Sequence, residues 1–186
     1  MKMKYYLSSF VLLTMICSCS NISKDGERIE AAYFPIKEFT EVTAENLEGK
    51  SLIKEVNING EKQKVNTTPN SEEWLKELDF FVKADINNPS LAQSYHTERS
   101  EMALIHNLKD GEKGKVKRIV VKYLEGNVKE VSFRSKTENP FYSSETRGVM
   151  IFHSESGKLD QYSIENLQEV VFSKPNKMII SASIVD

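Results

Sequence analysis

The chain has 186 residues, with 25 Lys and Arg against 27 Asp and Glu and a formal net charge of −2. That near balance, without a basic stripe, argues against a nucleic-acid partner, and the length suits one domain able to bury a sizeable core. Five prolines and eight glycines are scattered, and no repeat or low-complexity segment interrupts the chain.

The first twenty residues carry an address. Lys2 and Lys4 form a short positive region, residues 5–16 are apolar, and the run breaks on Ile16-Cys17-Ser18-Cys19. This is the layout of a secretory signal peptide. At about 1.5 Å per residue the apolar run spans about 18 Å, well short of the roughly 30 Å hydrocarbon core. It is therefore too short for a permanent membrane span.

Ile16, Cys17 and Ser18 ahead of Cys19 resemble the lipobox of bacterial lipoproteins: an aliphatic residue, two small residues and the modified cysteine. The family prefers Leu where Ile16 stands and rarely has Cys where Cys17 stands. Taking Cys17 as the modified residue fits worse, because bulky Ile16 would then precede it. The resemblance implies a diacylglyceryl thioether and an N-acyl chain on Cys19. Each buried methylene contributes about 0.8 kcal/mol, so two or three chains make a lasting anchor. The competing reading is an ordinary cleaved signal that leaves a secreted, cysteine-free protein. In both readings no cysteine follows Cys19, so the exported domain has no disulfide and rests on its apolar core.

In the lipoprotein family, Asp after the cysteine retains the protein in the inner membrane, so Ser20 implies the outer membrane. The polar stretch from Asn21 to Glu27 resembles the surface-export signals of Bacteroidetes lipoproteins. The organisation expected is a signal peptide over 1–18, a lipidated tether over 19–30 and a single domain over 31–186.

Within that domain, Ile36, Phe39, Thr43 and Leu47 fall at spacings of three and four, which predicts an amphipathic helix over 36–47. Asn59-Gly60 between 51–57 and 62–67 predicts a β-hairpin, because both central positions of such a turn need positive φ. Asn70 with Glu73 reads as a capping box, and opens a helix whose apolar stripe is Trp74, Leu75, Leu78, Phe81 and Val82. An aromatic stripe at helical spacing reads as core. Residues 90–95 fit one more helical turn.

From there the pattern turns to strand: 97–108, 116–124, 128–135, 148–153, 159–164, 170–172 and 178–185. Turn residues punctuate these runs, at Gly111, Gly126, Asn139-Pro140, Ser156-Gly157 and Pro175-Asn176. The fold expected is α+β: a curved antiparallel meander sheet with two helices packed on one face.

Catalytic signals are sparse. His96, His106 and His153 lack the spacing of a helical zinc site and have no Cys partner. Ser154-Glu155-Ser156-Gly157 lacks the leading glycine of a nucleophile elbow. The stretch from Lys109 to Gly114 has the wrong spacing for a phosphate or calcium loop. No catalytic, metal or cofactor residue is assigned, and the one modification site is Cys19.

The stretches Trp74-Leu75-Lys76-Glu77-Leu78-Asp79-Phe80-Phe81 and Phe34-Pro35-Ile36-Lys37-Glu38-Phe39, with the Asn59-Gly60 hairpin, resemble Bacteroidetes-type envelope lipoproteins. The resemblance implies a location and brings no activity. The role expected is non-enzymatic binding or assembly, with the membrane as one partner through Cys19 and an envelope protein as another. An alternative is an apolar-ligand carrier with a cavity between sheet and helices, by fold-level analogy to carriers of the LolA type. A third is a hydrolase with a concave pocket of converging ionisable groups. The anchor is checked by labelling cells with palmitate: the wild-type chain takes up label and Cys19→Ser does not.

Overall fold

The computed structural model describes residues 32–185, so Cys19, the signal peptide and the tether lie outside the described residues. In chain order the elements are α1 (Ile36–Glu45), β1 (Ser51–Ile58), β2 (Glu61–Thr67), α2 (Ser71–Glu77), α3 (Asp79–Val82) and a 3-10 turn (Pro89–Leu91). Seven strands follow: β3 (Tyr95–Arg99), β4 (Ala103–Leu108), β5 (Val116–Leu124), β6 (Asn127–Asn139), β7 (Tyr142–Phe152), β8 (Leu159–Val170) and β9 (Asn176–Val185). All nine strands join one open antiparallel sheet in the order β2-β1-β9-β8-β7-β6-β5-β4-β3. Strands β3 to β9 form a meander, and the first hairpin is added to its far side through β1 on β9. The expected α+β meander with helices on one face is the architecture observed.

Local chemistry explains most elements. Asn59 and Gly60 both take positive φ, 56° and 100°, as the turn joining β1 to β2 requires. At the start of α2, Asn70 accepts from the Glu73 amide while the Glu73 carboxylate accepts from the Asn70 amide. Two buried threonines sit within α1, and their hydroxyls donate back to the carbonyls of Ile36 and Phe39, which leaves neither unsatisfied.

Several expectations need correction, among them the limits of β6, β7 and β8, which run to Asn139, from Tyr142 and to Val170 where the pattern predicts 135, 148 and 164. The run over 97–108 is two strands, because the Ser100 hydroxyl accepts from the Ala103 amide and closes a turn that contains no Gly or Pro. The run over 170–172 is the end of β8 and a turn, with the chain reversed by a left-handed Phe172 at φ 66°. The second helix is broken at Leu78, which keeps Trp74, Leu78 and Phe81 all fully buried. Leu75, expected in that stripe, is exposed.

The core lies between the helices and one face of the sheet, here called the inner face. Ile36, Trp74, Leu78 and Phe81 meet Leu52, Ile119, Val121, Val131, Met150 and Ile164, all at 1% exposure or less. The Trp74 indole N–H is buried without a partner among the described residues, a cost set against the packing of the ring. The opposite face is wet. There Arg134 and Arg147 both bond Glu145, and the Arg134 hydrogen bond is the main cause holding that carboxyl down at about 2. The edge strands β2 and β3 carry Lys62, Lys64, Glu98 and Arg99, charges that discourage further strand pairing.

One polar tie fixes α2 to the sheet. Glu77 accepts from Lys54 of β1 through one oxygen and from the Tyr162 hydroxyl of β8 through the other, at 2.9 Å. Burial, and then the Glu77 charge, push the Tyr162 hydroxyl well above its ordinary range, so it stays protonated as the donor. Removing Glu77 strands a half-buried ammonium, whereas removing the phenol leaves the ion pair in place. In urea unfolding, Glu77→Ala is expected to cost about 2–3 kcal/mol and Tyr162→Phe about 1 kcal/mol.

Candidate functional site

The inner face changes character part-way along its central strands. One rung pairs Phe133, Gly148 and Ile164 across β6, β7 and β8, and it is apolar. The next inner rung pairs Ser135, Thr146 and Asn166, and the one after pairs Thr137, Ser144 and Gln168. Side chains alternate strictly between faces, so these residues point the same way as the core residues before them. The Ser135 rung is still buried, and exposure begins at Thr137 in the rung after it. Strand β6, with 13 residues, spans about 43 Å, while the ten residues of α1 span about 15 Å.

These polar rungs line a concavity of about 310 Å³. Its walls are Phe80, Lys83 and Ala84 from the helical side, Lys115 ahead of β5, and Phe133, Ser135, Thr137, Tyr142, Ser144, Thr146, Asn166 and Gln168 from the sheet. Phe133 marks its boundary with the core. That ring stacks edge-on to Phe81 at 5.3 Å and lies over Gly148, where an added Cβ would come within 2.3 Å of it. Only a glycine fits there, so the close approach dictates the residue.

Few of the polar groups in this concavity are used internally. Asn166 donates to Thr146 Oγ1 at 2.8 Å and more weakly to Ser144. The hydroxyls of Ser135, Thr137 and Tyr142, the Gln168 amide and the Asn166 carbonyl oxygen have no partner among the described residues. Ser135, Thr146 and Asn166 are nonetheless more than nine-tenths buried. Their unpartnered oxygens still reach the solvent of the concavity, since the Trp74 indole nitrogen is the one fully buried side-chain polar atom without a partner among the described residues. Lys83 pairs with Asp79, while Lys115 has no such partner among the described residues. No carboxylate or imidazole lines the concavity, which offers hydroxyls, amides, two ammonium groups and aromatic surface.

The residues weighed on sequence grounds lie elsewhere. His96 and His153 are exposed, and His106 is buried on β4. Among the described residues, no three His, Cys, Asp or Glu side chains are grouped as metal ligands. Ser154-Glu155-Ser156-Gly157 is the turn from β7 to β8, and the Lys109–Gly114 segment is the connection from β4 to β5. None of the inner-face polar residues was singled out by motif. Their only signal is an alternation that continues with hydroxyls and amides after the apolar residues stop.

Instead, His106 secures the point where the chain enters the domain. Its Nε2 accepts from the Phe34 amide at 3.1 Å, so Nδ1 carries the proton and donates to Thr97 Oγ1 at 2.9 Å. Beside it, Tyr33 donates to the Leu91 and Ala92 carbonyls, and Asn87 bonds the backbone of Tyr33 and Phe34. No family model, curated protein or solved structure matches this chain.

Burial, helped by Arg99, lowers the His106 pKa to about 4. The unfolded chain therefore binds the proton first as pH falls. The His106 contribution is complete above about pH 6.5 and is lost toward pH 4. Equilibrium unfolding is expected to show a loss of about 2–3 kcal/mol across that window, and His106→Gln is expected to flatten this component of the profile.

Proposed function

We propose that this chain is an outer-membrane lipoprotein, held by lipid on Cys19, whose folded domain binds a polar ligand in the concavity over β6, β7 and β8 and performs no chemistry on it. The carrying observation is the set of unpartnered hydrogen-bonding groups on a face that packing alone would fill with apolar side chains. Open to solvent, these groups bond water in the free protein and are available to a ligand that displaces it. The absence of any carboxylate or imidazole from the lining favours recognition over catalysis.

An apolar ligand between sheet and helices is less well supported. Trp74, Leu78, Phe81 and Ile86 fill that layer and are fully buried. The concavity instead opens beyond the end of α3, where its walls are polar.

Amide spectra of the ¹⁵N-labelled full-length chain in micelles, titrated with a library of saccharides, amino acids and nucleosides, test this reading. At least one probe is expected to shift residues around Ser135, Thr137, Ser144 and Gln168 together, and Gln168→Ala is expected to weaken that probe about tenfold. Shifts confined to other parts of the domain, or absent altogether, would count against a ligand seat here.

A further inference from the structure

Resting on that reading, we infer that the ligand is a glycan: a neutral oligosaccharide whose end unit enters the concavity and whose following units run out over the exposed rings of Phe141 and Phe172. The chemistry of the lining narrows the class. Ser135, Thr137, Ser144 and Tyr142 present hydroxyls, and Gln168 presents an amide. Hydroxyls and amides both donate and accept. Sugar hydroxyls do the same, so each group finds a partner whichever way the sugar's protons point. A ligand with a fixed negative charge would instead meet one unpaired ammonium, Lys115, since Lys83 is already paired to Asp79. The aromatic walls, Phe80 and Phe133, offer apolar faces suited to the C–H side of a pyranose ring.

The exit from the concavity supplies the second half of the case. Tyr142 begins β7 opposite Val170, which ends β8, and the Val171 amide donates to the Phe141 carbonyl. The two hairpin tips are thus joined directly beyond the polar rungs. Phe141 is 72% exposed there and Phe172 is fully exposed, and Phe172 holds a left-handed backbone at φ 66°. A bulky residue in that conformation is strained, and an exposed ring gains nothing from burial. Both costs disappear into function when the rings serve as stacking platforms for a chain leaving the concavity. At about 310 Å³ the concavity is at the small end of ligand sites, so most of an extended ligand must lie on these tips.

The test uses the full-length lipidated chain in zwitterionic micelles, whose headgroups carry no sugar. The protein is applied to an array of neutral, carboxylated and sulfated oligosaccharides, and the best neutral ligand is titrated as its di- and hexasaccharide. Retention of neutral members is expected, with about tenfold weaker binding of both lengths in Gln168→Ala. Phe141→Ala and Phe172→Ala replace exposed side chains, so folding is preserved. They are expected to weaken the hexasaccharide several-fold more than the disaccharide. If carboxylated or sulfated members are retained in a Gln168-dependent way while neutral ones are not, the assignment of a neutral glycan falls and the ligand seat stands. If nothing on the array is retained and no probe shifts the amides around Ser135 and Gln168, both fall.

Discussion

The architecture depends on one mismatch of length. A strand advances about 3.3 Å per residue and a helix about 1.5 Å, so short helices cannot roof long strands. Strands β6, β7 and β8 have 13, 11 and 12 residues, against ten in α1 and seven and four in the broken second helix. The inner face therefore divides into a covered part and an open part. Where the helices lie, the face is Val131, Met150, Tyr162 and Ile164; it turns polar at the still-buried Ser135, Thr146 and Asn166 and opens to solvent at Thr137 and, in part, Gln168.

Several devices hold that division in place. Glu77 ties the end of α2 to Lys54 and Tyr162, which sets how far along the sheet the helix can sit. Phe133, lying over Gly148 and against Phe81, closes the core at the last apolar rung. At another part of the fold, Tyr33, Asn87 and His106 fasten the start of the described chain to β3, β4 and the segment after α3. Phe34 and Phe39 continue that contact to Phe152 at the end of β7. The chain thus enters near the end of β7 that lies away from the Tyr142 and Phe141 tip.

Most of the fold was legible in residue patterns. The Asn59-Gly60 turn, the Asn70 cap and the limits of β5 follow from local chemistry and alternation. The errors share a cause. The alternation rule identifies a strand by its apolar residues, so it ends β6 at Ser135, begins β7 at Gly148 and ends β8 at Ile164. Each boundary falls at the apolar-to-polar switch, and in each case the strand continues with the same period of two. The segments lost from the strands are those that build the concavity. A site formed by three neighbouring strands also depends on register, which no single stretch reveals.

The central claim is that the polar inner rungs serve a ligand and not the fold. The most direct measurement is the urea unfolding free energy of a Ser135→Val, Gln168→Leu double variant, which extends the apolar face into the concavity. If the rungs are kept for binding, the variant is at least as stable as the parent, because unpartnered polar groups have been replaced by apolar ones. A loss of more than about 1 kcal/mol would mean that these side chains hold the structure together, and would contradict the account.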